Sequence, residues 1–279
     1  MSVRPVVAVL VSRDMLPWAE NRRVDAHEGD AQVALMRQAF ARIGRDMEIV
    51  QWDGEGIDWS RFEAAITSIT WDYAERPEAF LARLGEIAGR TRLINSLEVI
   101  RWNMRKTYLK DLAERGAQLV PTHWVERATP EAAEAAFAAF GVDRIVIKPV
   151  VGAGAWRQVL LRRGEAWPDA EALPPHEAMI QPFLPAIQDE GEYSFLFFNG
   201  QFSHAVVKTP KQGGLPYPDE LWRLGRALSA LGGRSVGRPR RARFRAGGAV
   251  PCPCRHGARG GRLPAADGAG ADRALFVHR

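Results

Sequence analysis

The chain has 279 residues, 46% hydrophobic and 25% charged, enough for a sizeable core and two or three subdomains. No apolar run approaches the roughly 20 residues of a membrane span, the N-terminus leads into a strand rather than a signal-type apolar core, and Cys252 and Cys254 stand too close for a useful disulfide; a cytoplasmic chain without a membrane partner is expected. The net charge of +5 is uneven: residues 214–279 hold 13 Arg against 4 Asp and Glu, a net of +9 that leaves −4 on residues 1–213.

Val6–Val11 reads as a buried strand, followed by the loop Ser12-Arg13-Asp14 and a helical pattern from Ala31 to Ile43 that stops at Gly44. Glu48–Trp52 and Ala64–Thr70 are the next strands. Strands alternating with helices predict a parallel, doubly wound N-terminal domain over residues 1–95. Such sheets bind ligands at the carboxyl ends of their strands, where Asp14 and Trp71-Asp72-Tyr73 fall. Asp14, Trp71 and Asp72 are therefore candidate substrate contacts; the other reading has Trp71 packing and Asp72 capping the next helix.

Ser96 is positioned to cap a helix over Leu97–Arg115, with Gly116 as its stop. A strand near Thr122–Val125, a helix over Pro130–Phe140, a strand over Arg144–Pro149, a glycine-rich turn and a return over Gln158–Arg162 follow. Met179–Leu184 is strand-like, and Tyr193–Phe198 and Gln201–Val207 flank Asn199-Gly200, a strong hairpin signal. This second region, residues 96–213, is expected to be built on an antiparallel sheet. From Leu221 to Ala266 there is no Asp, Glu, Lys or Ile and only two Val, so the last quarter, residues 214–279, is expected to be irregular or disordered and poorly folded.

A nucleoside triphosphate requires cations and backbone amides at its phosphates and an apolar slot with polar edges for its base. Lys106, Lys148, the small-residue run Val150-Val151-Gly152-Ala153-Gly154-Ala155 and the apolar stretch Met179–Leu184 offer those parts in order. None is specific alone, and the loop is neither of the two common phosphate-binding glycine motifs.

The stretch Ile180-Gln181-Pro182-Phe183-Leu184-Pro185-Ala186-Ile187-Gln188-Asp189-Glu190-Gly191-Glu192 resembles the hinge and following turn of bacterial glutathione synthetases and RimK-type ligases of the ATP-grasp superfamily. Ile147-Lys148-Pro149 with its glycine loop is similar to their phosphate lid. The match covers about residues 95–213 and says little about substrate. It implies an α/β (α+β) ATP-grasp fold and an ATP-dependent ligase that joins a small-molecule carboxylate to an amine through an acyl phosphate, with Mg²⁺ on the phosphates. By the same resemblance Lys106 and Lys148 contact ATP phosphates and Gly152 and Gly154 form the lid. Gln181, Phe183 and Leu184 would hold adenine, Glu192 would lie toward the ribose, and Lys208 and Lys211 would lie beside the transferred phosphate. Ser194 departs from the pattern, which has Arg there.

The larger departure is the C-terminus, where the family carries an Arg and then acidic metal ligands. Codons able to encode Ala266–Arg273, shifted by one base, also spell Leu-Met-Glu-Leu-Glu-Leu-Ile-Glu, an acidic strand of the expected kind. The same shift turns Gly214–Pro218 into Asp-Phe-Arg-Ile-Gln, and Val250–His256 into the alternating Tyr-Arg-Val-Arg-Val-Asp-Met. Residues from about Gly214 to about Arg273 therefore read as out-of-frame translation, with the frame restored near Ala274-Leu275-Phe276, and the chain as written is expected to bind nucleotide weakly and ligate nothing. Two rival readings stay open: a non-catalytic nucleotide-binding protein, and a nucleic-acid-binding arm at Arg238-Pro239-Arg240-Arg241-Ala242-Arg243. The arm lacks the Lys and interleaved aromatics usual for nucleic acid. Cys252-Pro253-Cys254 with His256 lacks a second ligand pair and argues against zinc. Whether the chain forms a homo-oligomer is not encoded in any motif.

Overall fold

The structure, a computed structural model, describes residues 4–198 and 200–210 together with the strands Trp222–Leu224, Leu228–Ser229 and Ala274–His278. The fold is mixed α/β, and the described residues fall into two compact units, one up to Leu184 and one from Pro185 on.

The first unit begins with four parallel strands, β1 (Val6–Val11), β2 (Asp46–Gln51), β3 (Ala64–Ile69) and β4 (Arg92–Ile94), in the order β2-β1-β3-β4. Their near-continuous apolar composition reflects burial on both faces. Ala8 and Leu10 of β1 pack with Trp52, Phe80, Leu84 and Ile87 on one side, whereas Val9 and Val11 pack with Met15, Ala26 and Ile69 on the other. Helix α2 (Pro77–Ala88) supplies the first side and α1 (Ala26–Arg42) the second. Helix α1 starts five residues before the Ala31 expected from its apolar spacing. Its first turns face the core with the small residues Ala26 and Gly29, where a Cβ on Gly29 would stand 3.2 Å from Ile69 Cγ2, and such residues leave little hydrophobic pattern to read.

The helix expected over Leu97–Arg115 is two helices, α3 (Leu97–Met104) and α4 (Tyr108–Glu114). Ser96 caps α3, its Oγ accepting from the Val99 amide at 3.4 Å. The break falls at Arg105, whose extended backbone (φ −99°, ψ 122°) forms an isolated antiparallel bridge with Val151. A second sheet follows, antiparallel throughout: β5 (His123–Val125), β6 (Arg144–Pro149), β7 (Val159–Arg162) and β8 (Ala178–Pro182), in the order β5-β8-β6-β7. Helix α5 (Pro130–Phe140), capped by Thr129 and stopped by left-handed Gly141, packs Ala133, Ala136 and Phe137 against Ile145, Ile147 and Ile180.

The second unit contains the short helix α6 (Ala186–Glu190) and the hairpin β9 (Glu192–Phe198) and β10 (Gln201–Pro210), turned through Gly200 at φ +78°. Strands β11 (Trp222–Leu224) and β12 (Leu228–Ser229) pair with β10, and β13 (Ala274–His278) pairs with the free side of β9, all antiparallel.

Candidate functional site

The nucleotide-type residues of the first unit gather where the α3–α4 break meets the loop after β6. The Lys106 amide donates to Val150 O at 2.8 Å, and its ammonium donates to Gly152 O at 2.5 Å. Lys148 approaches from the sheet. Ile145 and Ile147 of β6, and Ala178 and Ile180 of β8, point into the core, so the pleat turns Val146, Lys148, Met179 and Gln181 to the opposite face. Register pairs Lys148 with Met179 and Val146 with Gln181 on that face. The two lysines feel each other: the Lys106 ammonium is pushed down from 10.5 to about 8, by burial first and by the Lys148 charge second. Burial and a like charge nearby make the ammonium form of Lys106 costly, and an anion bound there would offset both.

The glycine loop itself is tightly shaped. Gly152 has φ +155°, and a Cβ there would stand 2.9 Å from Pro149 Cγ and 3.3 Å from the Trp156 ring. Gly154, Ala155 and Arg157 all lie in the left-handed region, at φ +57°, +57° and +49°. Along the hinge, Gln181 is buried and its side-chain amide donates to Thr122 Oγ1 at 2.9 Å. Phe183 is also buried, with its amide donating to Arg144 O at 3.0 Å and the Arg144 guanidinium 4.3 Å over its ring. Leu184 is 37% exposed at the end of the unit.

A second cluster lies at the carboxyl ends of β1 and β3, where the strand order reverses direction. Asp72 is its hub. Oδ1 accepts from Ser12 Oγ and from Trp52 Nε1, each at 2.8 Å, and Oδ2 accepts from Arg76 at 2.7 Å. Arg76 reaches on to Asp53 at 2.8 Å and stacks 4.8 Å over Trp52. Asp72 does not cap α2, whose N-cap position is Arg76; it ties the ends of three strands together instead. Asp14 differs: its Oδ1 is buried with no hydrogen-bond partner among the described residues, and Oδ2 lies 4.0 Å from Arg23. Burial, the largest influence, raises the Asp14 carboxyl above the usual carboxylate range; the Arg23 charge opposes it, and Asp72 and Glu75 add to it. The Arg23 guanidinium also covers the Trp71 ring at 5.6 Å. Ser12, Arg23, Trp52 and Arg76 were not among the sequence candidates; only the position of Ser12 and Trp52 at strand ends signals them.

The sequence model described as D-cycloserine synthetase DcsG, N-terminal domain, matches residues 7–95. The cycloserine biosynthesis protein DcsG of Streptomyces lavendulae is 31% identical over 200 residues, 68% of this chain and 65% of that protein's length. The crystal structure of D-cycloserine synthetase DcsG superposes with a TM-score of 0.66 at 26% identity, covering 79% of this chain and 74% of that one. The chain has the ATP-grasp fold. The ATP-grasp fold alone is shared with D-alanyl-alanine synthetase A of Vibrio cholerae O1 biovar eltor, at a TM-score of 0.55 and 13% identity, over 81% of this chain and 74% of that one.

Of the remaining ATP-grasp candidates, Glu192 and Lys208 sit opposite each other in the β9–β10 register of the second unit. Lys211, Arg238–Arg243, Cys252, Cys254 and His256 lie outside the described residues, as does most of the segment read as out of frame. Ser194, the departure from Arg, has a buried Oγ with no hydrogen-bond partner among the described residues. Among the described residues there is no group of three His, Cys, Asp or Glu side chains that could hold a metal ion, and no helix long and apolar enough to cross a membrane. Lys106, Lys148 and the glycine loop place positive charge and backbone amides on one side of the second sheet.

Proposed function

We propose that this chain carries the nucleotide-binding part of an ATP-dependent ligase that activates a small-molecule carboxylate as an acyl phosphate for attack by an amine. The observation that supports it most is the meeting of Lys106, Lys148 and the Gly152–Gly154 loop over one face of the second sheet. Lys106 and Lys148 hold the phosphates by charge, and the loop amides close on them. Gln181, Phe183 and Leu184 contribute backbone edges and an apolar wall for adenine. Glu192 serves the ribose, and Lys208 and Lys211 the transferred phosphate. Asp14 and Trp71 contact substrate at the first sheet's carboxyl edge, and Asp72, with both oxygens occupied, holds that edge in shape. The name of the relative, D-cycloserine synthetase, favours an amino-acid-derived substrate and a small amide product.

The chain as written binds nucleotide without completing ligation, because its frame breaks near Gly214 and the acidic metal-binding strand is lost. Pairing of β13 with β9 at Ala274–His278, where the frame reading resumes, supports this. Two experiments test the proposal. Calorimetric titration of the full chain with ATP should show saturable binding that weakens at least about tenfold in Lys148→Ala; no heat up to millimolar ATP refutes the nucleotide assignment. Sequencing of the coding DNA across codons 205–279 should reveal the shift, and an unbroken frame in independent isolates, or ATP turnover by the chain as written, refutes the impairment.

A further inference from the structure

Helix α1 meets the first sheet through Ala26, Gly29, Val33, Met36 and Phe40, which are buried or packed against the core. A helix held on one face ordinarily carries polar and charged residues opposite. The outward stripe of α1 instead reads Glu28, Ala31, Leu35, Ala39 and Arg42, all exposed. Their spacing of three or four residues keeps the five in line on the side away from the core, and Leu35 in the middle is 66% exposed.

The stripe is symmetric about its centre. Ala31 and Ala39 each stand four residues from Leu35, and Glu28 and Arg42 each stand seven, about 10.5 Å to either side along the axis. Neither the Glu28 carboxylate nor the Arg42 guanidinium has an ion-pair partner among the described residues. A second α1 laid antiparallel along this stripe, with a two-fold axis at Leu35, brings Glu28 beside the partner's Arg42 and Arg42 beside the partner's Glu28, while Leu35 enters the space that the alanines leave. A parallel arrangement faces acid with acid and base with base, so the charges select the antiparallel one.

We propose that the outer face of α1 is a homodimer interface, at which two copies of this chain pack α1 against α1, antiparallel about a two-fold axis at Leu35. A two-fold contact requires one patch to match itself, and this stripe does so in both its apolar centre and its charged ends. A partner of a different kind requires no match between the two halves of one stripe. The helix alone offers less than the roughly 800 Å² per partner of a standard interface, so the dimer forms reversibly in the micromolar range. The inference rests on the first unit and is independent of the nucleotide reading above.

Sedimentation velocity of the full chain from about 1 to about 100 μM should show a concentration-dependent equilibrium between monomer and dimer. Leu35→Glu sets two carboxylates face to face at the axis and should raise the dissociation constant at least about tenfold. Glu28→Arg puts two arginines together at each end and should weaken the dimer about fivefold; adding Arg42→Glu restores opposite charges and should return the affinity to within about twofold of the wild type. A chain that stays monomeric at the highest concentration overturns the proposal, even where another protein occupies the face. Association that Leu35→Glu leaves unchanged overturns it too, as does a double variant no tighter than Glu28→Arg. The substituted positions are exposed, so the variants keep the fold, and the wild-type series decides between monomer and dimer without any substitution.

Discussion

Raising the pH from 7 to 9 should weaken ATP binding by about tenfold. Lys106 has its ammonium pushed down to about 8, so it is mostly charged at pH 7 and mostly neutral at pH 9. If binding requires the ammonium, affinity follows the charged fraction, which falls roughly tenfold across those two units. The terminal phosphate completes its own last ionisation near the lower end of this window, and the series on Lys106→Met separates that contribution from the lysine's. The sign for stability is opposite. A lysine whose folded value is about 8 against 10.5 binds fewer protons folded than unfolded between those limits, so stability rises with pH across the window, by at most about 3 kcal/mol. Calorimetric titration with ATP at half-unit intervals, with the same series on Lys106→Met, is the assay. A wild-type affinity that is flat from pH 7 to 9, or a slope equally steep in Lys106→Met, refutes the assignment of the perturbed cation to phosphate.

Gly152→Ala introduces a Cβ 2.9 Å from Pro149 Cγ at a backbone angle that favours glycine, and should cost about 1–3 kcal/mol in urea unfolding and weaken ATP binding. Asp72→Ala leaves Trp52 Nε1 without its acceptor, while Ser12 Oγ keeps Ile69 O and the residue 72 amide and Arg76 keeps Asp53, and should lower stability by about 1–3 kcal/mol, measured by chemical denaturation. Asp14→Asn removes a desolvated charge and should leave stability at pH 7 unchanged or raised by up to about 1 kcal/mol. If the proposed correction of the reading frame yields an active ligase, the same substitution should raise the KM of its carboxylate or amine substrate; a large loss of stability instead would mark Asp14 as structural.

Much of the architecture could be read from local pattern. Apolar runs such as Val6–Val11 and Ala64–Ile69 carry their strand character in composition, and Thr129 with Pro130 marks the start of α5 through capping chemistry. What escaped was set by distant partners. Strand β4 has only three residues and no periodicity to detect. The interruption of Leu97–Arg115 has no proline or glycine to announce it, since it arises from the pairing of Arg105 with Val151, 46 positions away in sequence. At the candidate site, Lys106, Lys148 and the loop were visible as residue types in order, but their mutual influence was not. Asp72 was visible only as an acid at a strand end. That its two oxygens serve Ser12, Trp52 and Arg76 depends on parallel strands whose neighbours in space are far apart along the chain.

Helix α3 also acts as a ruler. It runs eight residues from a fixed start at Ser96 to the point where Arg105 leaves the helical path, so its length decides which side chain arrives beside Gly152. Deleting one residue from it would shift the following segment by about 1.5 Å and roughly 100° around the axis, presenting Thr107 rather than a lysine. Variation among relatives should therefore conserve the count between Ser96 and Lys106 more strictly than the identity of the residues between them.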